Sequence, residues 1–327
     1  SLISEQLNLN KEKIEIASSI CKADLVSDLV GEYPELQGIM GKYFAMEQGF
    51  EVDVCDAVND HYLPIGINSE VPKKPISVAV SIIDKIDTLV GFYGINEKPT
   101  SSKDPFALRR NAIGLLRIII ENKLKVQLKE LINYSMISYE EQNVKFKNNS
   151  TSKDLLFFLK ERFKNILKEK KIRTDIILAV DTSHAGNNFL EFYKKCAIFN
   201  KNISKEVCKN IISIHKRASN IIDHESKNHE KSILGQPETV LFKKDEEMEL
   251  YKKINEIRQY FVSTKKHENY EETLKKLAEA KHVTDNFFDN VIVNDKNLDI
   301  KKNRLELLKM FCITYNTFLD FSKVEGV

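Results

Sequence analysis

The chain has 327 residues, 42% of them hydrophobic and 30% charged, a balance that excludes disorder over most of its length and suits two to three domains. The longest apolar stretches, such as Ile113–Ile120, are interrupted, here by Gly114 and Arg117, so no transmembrane helix is expected; no basic-then-apolar leader opens the chain, so no signal peptide is expected either. The formal net charge of +2 hides a gradient: residues 1–120 carry 12 basic against 17 acidic side chains and the rest 38 against 31, so an anionic partner should meet mainly the second half.

In chain order, apolar residues recur at three- and four-residue steps from the start: Ile14, Ala17, Ile20, Cys21, Leu25 and Leu29 predict helix. Eight of the 11 glycines and six of the seven prolines precede residue 115, which predicts short, punctuated helices in a first block, 1–125. Asp104 followed by Pro105 reads as an N-cap and first-turn proline, opening a basic helix with Arg109 and Arg110 on its first two turns. The polar run from Lys145 to Asp154 reads as a loop, and residues 126–204 as connecting helices including the charged stretch Leu155–Lys171. A third block, 205–327, carries helical spacing in Ile254, Ile257, Tyr260 and Phe261, and again in Leu305, Leu308, Phe311, Cys312, Tyr315 and Leu319. Within it, His224–Gln236 reads as a loop. Strand-like alternation is missing; the fold class expected is all-α, multi-domain, with about twelve or more helices.

Several chemistries find no support. No glycine-rich phosphate loop is present; Gly38 and Gly41 lie in a helical pattern and read as close packing. No G-x-S-x-G elbow occurs, and Ser183 and His184, being adjacent, cannot face each other on a helix. No His-Asp dipeptide of the HD phosphohydrolase type occurs; His61, Asp84 and Asp87 make a thin metal set, with ion pairing the better reading of the two carboxylates. No catalytic residue is assigned. Cys21, Cys55, Cys196, Cys208 and Cys312 are scattered, without a C-x-x-C pair, which fits buried thiols in a reducing cytoplasm.

Two clusters combine positive charge with aromatic or amide groups. In the first, Lys103, Arg109 and Arg110, with Arg117 further along, could hold phosphates through paired N–H donors, or pair with acidic neighbours. In the second, Lys216, Arg217 and Asn220 precede Phe287, Phe288 and Asn290, then Lys302, Asn303 and Arg304. Unpaired RNA bases are read by stacking on aromatic or guanidinium planes plus hydrogen bonds from polar side chains, and both ingredients are here. Phe287 and Phe288 fit core positions equally well.

Cys21–Gly41 (CKADLVSDLVGEYPELQGIMG), His61–Pro64 (HYLP), Asp84–Gly91 (DKIDTLVG) and Pro99–Arg110 (PTSSKDPFALRR) resemble the beta subunit of bacterial two-subunit glycyl-tRNA synthetase. Phe287–Val293 and Asn303–Leu308 resemble the same subunit's anticodon-binding domain. The resemblance runs in family order from about residue 11 to the C-terminus and is weaker over 126–204. It implies a C-terminal portion of that subunit: an HD-like helical domain over 1–125 that has lost its metal site, with Lys22-Ala23 near where a His-Asp pair would be, and an anticodon-binding bundle over 205–327 similar to that of arginyl-tRNA synthetase.

It further implies that this portion binds glycine tRNA, at the anticodon and backbone, and is itself non-catalytic. A separate alpha subunit would attach glycine using ATP and Mg, in a cytoplasmic tetramer of two alpha and two beta chains, with no cofactor in this portion and no membrane. Glycine tRNAs end their anticodon in two cytosines, so amide, guanidinium and carboxylate partners are wanted: Arg217, Asn220, Asn290, Asn303 and Arg304, with Phe287 or Phe288 as the stacking group. Two alternatives stay open: a helical module that only docks the alpha subunit, and a degenerate HD-type phosphohydrolase using His61, Asp84 and Asp87.

Overall fold

The computed structural model describes residues 2–66, 68–100, 102–182, 188–228, 235–263 and 269–326. The described residues form α-helices joined by loops and short 3-10 turns, with no strand among them, as the apolar spacing requires. None of these helices is long and apolar enough to cross a membrane. The chain divides into two compact units, Ser1–Lys170 with Asn187–Leu190, and Lys171–Gly186 with Glu191–Val327. The expected connecting block 126–204 therefore splits, its first two helices going to the first unit and the next to the second.

The first unit holds α1 (Leu2–Leu7), α2 (Lys11–Ile20), α3 (Asp28–Glu32), α4 (Ile39–Glu47), α5 (Val52–Asp60), α6 (Pro75–Gly94), α7 (Leu108–Glu121), α8 (Leu128–Glu141) and α9 (Thr151–Glu169). Its axis is α6, which starts on Pro75, where a missing N–H costs nothing. Ile76, Val78, Ala79, Val80, Ile82, Ile86, Leu89 and Val90 are all buried, so the helix is covered on every side, with α2, α5, α7, α8 and α9 packed on it.

Three local expectations are corrected. The helix predicted through Leu25 and Leu29 stops at Ile20; both leucines are exposed. The chain turns there because the buried Asp24 carboxylate accepts the Gly38 and Gly41 amides, at 2.6 and 3.2 Å, and so holds the 3-10 turn Ala23–Val26 at the start of α4 instead of continuing α2. Gly41 is a packing residue as expected: a Cβ there would lie 2.8 Å from Val58 Cγ1. Secondly, α7 begins at Leu108, three residues beyond Pro105, because Ala107 takes a left-handed conformation (φ 51°). Asp104 still caps it, its carboxylate accepting the Leu108 and Arg109 amides at 2.8 and 3.0 Å. Arg109 and Arg110 consequently both fall in the first turn. Thirdly, the loop expected from Lys145 ends at Ser150, since Thr151–Asp154 open α9.

The second unit holds α10 (Thr174–Thr182), most of α11 (Phe189–Asn202), α12 (Glu206–Asn228), α13 (Asp245–Ser263), α14 (Tyr270–Ala278), α15 (Lys281–Asn290) and α16 (Leu298–Asn316). The long α12 packs on α14, α15 and α16, and α13 on α15 and α16. Of the loop expected over His224–Gln236, the part through Asn228 belongs to α12; residues 229–234 lie outside the described set, as do Ser183 and His184. Phe199, Phe311, Tyr315, Phe318 and Phe321 fill the core, and the Tyr315 hydroxyl donates to the Leu277 carbonyl at 2.7 Å. His215 is buried among them, its ring centre 5.6 Å from that of Phe321 and its Nε2 3.0 Å from Asn316 Oδ1.

Two outcomes follow from this burial. All five cysteines are buried and unpaired, and loss of solvent pushes Cys21 and Cys208 up to about 11 and Cys312 to about 12. A disulfide reagent at pH 8 should leave all five unreacted in the native chain and titrate all five in denaturant. Burial also holds the His215 imidazole below its ordinary 6.5, against the opposing pull of Asp320 and Asn316. The unfolded chain therefore takes up the proton first: the stability that neutral His215 confers is complete above pH 6.5 and is lost as pH falls below it, by up to about 1.4 kcal/mol per pH unit. Urea unfolding between pH 5 and 8 checks this, the His215→Gln variant lacking that slope.

Candidate nucleic-acid interface

The second unit carries a cleft of 520 Å³ formed by α12, the C-terminal end of α15, the loop 291–297 and the start of α16. Helix α12 presents Arg217, Asn220, Ile221, His224 and Glu225 to it, a run at three- and four-residue spacing that puts all five on one face. From α15 comes Phe288; the Arg217 guanidinium lies over its ring, 4.4 Å from the centroid. Arg217 also approaches Asp289 Oδ1 at 3.8 Å, and its side chain remains half exposed. The opposite wall is Ile292, Val293 and Asn294, with Lys301 and Leu305 of α16. Lys301 Nζ is 2.7 Å from the buried carboxylate of Glu225, which ties α16 to α12 beneath the cleft. The arrangement offers a planar cation on an aromatic ring and two side-chain amides around one opening, with the Lys301 ammonium held by Glu225 at its base. That is the equipment for holding an unstacked base beside a phosphate.

The structure therefore brings Arg217, Asn220 and Phe288 together and disperses the other candidates in this unit. Lys216, half-exposed, does not line the cleft. Asn290 is exposed at the end of α15, its side chain donating to the Asn286 carbonyl at 3.1 Å. Lys302 is exposed and reaches only Glu306, at 3.8 Å. Three candidates must be withdrawn as base readers because they are buried. Phe287 is fully buried and packs edge-to-face on Phe288. Asn303 binds the Glu238 backbone, donating to its carbonyl at 3.0 Å and accepting its amide at 2.7 Å. Arg304 is 4% exposed; its Nε donates to Glu247 Oε1 at 2.9 Å, and its Nη1 to the Ile292 carbonyl at 2.9 Å and to Asp295 Oδ2 at 2.7 Å. Arg304 thus anchors the loop that forms the cleft's far wall. Lys301, His224 and Asn294 were missed, though Lys301 and Leu305 sit one turn apart, the spacing that marks a common face.

Arg109, Arg110 and Arg117 of the first unit line a separate cleft of 610 Å³ with Pro64, Gly66 and Asp104, and Lys103 lies outside it. Arg117 is spent structurally, bonding Glu121, Gly66 and Ser69. Arg109 donates to the Thr100 carbonyl. Arg110 and Lys103 are exposed and have no ion pair among the described residues, which leaves them open to solution anions.

The metal candidates are otherwise engaged. Asp84 forms an ion pair with Lys22 at 2.5 Å, so an ammonium stands where a cation would bind. His61 is buried, its Nδ1 2.7 Å from the Val58 carbonyl, and burial holds its imidazole below the usual pKa. Burial raises the Asp87 carboxyl. Lys85, pushed down to about 8 by burial, donates to the His61 carbonyl at 3.1 Å and the Ser81 hydroxyl at 2.9 Å. Among the described residues no three His, Cys, Asp or Glu side chains converge as a ligand set.

Comparison with known proteins gives two family matches. Residues 1–182 match the family described as glycyl-tRNA synthetase beta subunit, and residues 211–325 the family described as DALR anticodon binding domain. The chain belongs to the glycyl-tRNA synthetase beta subunit family. It is 36% identical over 316 residues to the glycine–tRNA ligase beta subunit of Rhodospirillum centenum, covering 96% of this chain and 44% of that protein. The Rickettsia canadensis beta subunit is also 36% identical, over 96% of this chain and 45% of its own length. That of Persephonella marina is 33% identical over 99% of this chain and 46% of its length. The chain thus spans under half the length of these relatives. The cleft lies inside the segment that matches the anticodon-binding family.

Removing Arg304 should act on the fold and not only on binding. Arg304→Ala leaves the fully buried Glu247 carboxylate without its cation, a loss of about 3–5 kcal/mol. The urea midpoint of the second unit should fall accordingly, whereas Lys302→Ala, on the same helix, should leave it unchanged.

Proposed function

We propose that this chain is the RNA-recognition portion of a glycine–tRNA ligase beta subunit, binding glycine tRNA through the cleft of the second unit. A cytosine of the anticodon would stack on the exposed face of the Arg217–Phe288 pair, with Asn220 or Asn294 meeting its polar edge. Lys103 and Arg110 would add sequence-independent phosphate contacts in the first unit. The observation that carries the reading is the Arg217–Phe288 stack, 4.4 Å from guanidinium to ring, opening into a cleft within the segment matched by the anticodon-binding family.

Adenylate formation and glycyl transfer would belong to a companion alpha subunit using ATP and Mg, in an assembly of two alpha and two beta chains in the cytoplasm. This chain would contribute by placement: binding energy gained at the anticodon positions the acceptor end at the companion's site. Its own residues hold the RNA and orient it; no proton or bond is handled here. The docking-only alternative predicts no RNA affinity at all.

Fluorescence anisotropy with glycine tRNA checks the reading. Arg217→Ala and Phe288→Ala should each weaken binding by about 1–3 kcal/mol while the melting temperature holds. Affinity should fall linearly in log–log form with salt, and Arg110→Ala should reduce that slope by about one. No binding even at low salt would sink the proposal.

A further inference from the structure

The cleft of the second unit has two walls. Its volume of 520 Å³ lies within the range of clefts that enclose ligands well above the size of one pyrimidine ring. One wall carries the Arg217–Phe288 pair. The other carries Ile292, which is 76% exposed. A lone exposed isoleucine is ordinary on a protein surface. This one differs in how it is held and in where it stands.

The hold begins in the backbone. Helix α15 ends at Asn290, and Val291 takes an extended conformation (φ −112°, ψ 118°). Side chains alternate along extended backbone, so Val291 and Val293 are buried and Ile292 between them turns outward. The chain is fixed on both sides of it. Lys244 donates to the Asn290 carbonyl at 2.6 Å, and Arg304 to the Ile292 carbonyl at 2.9 Å and to Asp295 at 2.7 Å. Asp295 in turn accepts the amide of Asn297, the residue that caps α16. A β-branched side chain on a backbone so constrained has little rotamer freedom left to lose. The ordering that usually erodes the affinity of a surface loop is complete here before any ligand arrives.

The surroundings select the occupant. The Ile292 side chain offers apolar surface with no donor or acceptor. Asn294 beside it, and Asn220 and the half-exposed Arg217 of the opposite wall, offer hydrogen bonds and positive charge. Apolar surface flanked by amides and a cation suits an unstacked nucleobase, whose faces are apolar and whose edges are polar. An apolar protein side chain in the same place would bury those amides without partners.

We infer that Ile292 is a second base platform, so that the cleft holds two consecutive unpaired nucleotides, one on the Arg217–Phe288 pair and its neighbour against Ile292. The inference rests on the proposed RNA reading and extends it from one nucleotide to two. The contact at Ile292 is apolar only, so it adds affinity without choosing the base.

Fluorescence anisotropy with glycine tRNA reads the effect. Ile292→Ala should weaken binding at least threefold, and Ile292→Phe, which enlarges the platform, should restore wild-type affinity or better, with the melting temperature of both variants retained. Leu298→Ala is the control: Leu298 is also 76% exposed, opens the next helix and does not line the cleft, so its truncation should leave affinity unchanged. A photo-crosslinking residue in place of Ile292 should label the nucleotide next to the one labelled from the same residue in place of Phe288. Wild-type affinity in Ile292→Ala, no gain of Ile292→Phe over alanine, an equal loss in Leu298→Ala, or a crosslink to protein or to a distant nucleotide would each overturn the inference. The two failures stay distinct. Binding that needs Arg217 and Phe288 but not Ile292 rejects only the second platform, whereas a chain with no affinity for glycine tRNA rejects the RNA reading and the platform with it.

Discussion

One buried cation organises the terminal bundle. Arg304 cannot lose its charge, and removing it from water costs several kcal/mol unless its donors are matched. They are matched by Glu247 at the start of α13 and by Asp295 and the Ile292 carbonyl in the loop after α15. Glu247 is itself committed on its other oxygen, which accepts the Lys243 and Lys244 amides and so closes the N-terminus of α13. One guanidinium therefore joins a helix start to an otherwise irregular loop. Ile292, Val293 and Asn294, which wall the cleft, are held by a residue that never touches the cleft. The surface offered to a ligand is set by an interaction sealed from solvent.

That arrangement explains what could be seen in the residues and what could not. The helical class was plain, because three- and four-residue apolar spacing persists through both units. The candidate residues of the last block were marked by composition, since basic, amide and aromatic residues gather at Lys216–Asn220 and again at Phe287–Arg304. Which members face outward was not. Successive residues on α16 point about 100° apart, so within the run Lys301–Arg304 only Lys301 reaches the cleft while Asn303 and Arg304 turn inward. A base-reading arginine and a buried ion-paired arginine have the same letter; only the carboxylates brought from α13 and the 291–297 loop distinguish them. On α12 the spacing was a usable signal: Arg217, Asn220, Ile221 and His224 share a face, and that face is the cleft.

The first unit misled in a different way. Its apolar period runs on past Ile20, yet the helix stops, because Asp24 satisfies two amides at the start of α4, far along the chain. A long-range hydrogen bond overrode the local period and left Leu25, Val26 and Leu29 in solvent. The Asp104-Pro105 start failed by three residues for a comparable reason: the aspartate caps from a distance, across a left-handed Ala107. Nearby, the Lys22–Asp84 pair neutralises internally a carboxylate that, beside a buried histidine, would otherwise call for an external cation. A fixed ammonium supplies charge balance but no open coordination position, so the cluster keeps its electrostatic stability and has no Lewis acid to offer.

The two units consequently present surfaces with opposite requirements. The 25–52 segment is apolar, with carboxylates that have no ion pair among the described residues; the cleft of the second unit is lined by Arg217, by Lys301 paired to Glu225, and by amides beside an aromatic ring. A polyphosphate backbone is repelled by the first and drawn to the second, and a basic protein face experiences the reverse. Segregating the charges keeps the electrostatic preferences of the two faces separate. A near-neutral total is then the sum of two specialised faces, which is why the net charge of +2 said so little and the gradient along the chain said more. Mixing the same side chains evenly would leave the composition unchanged and erase both preferences.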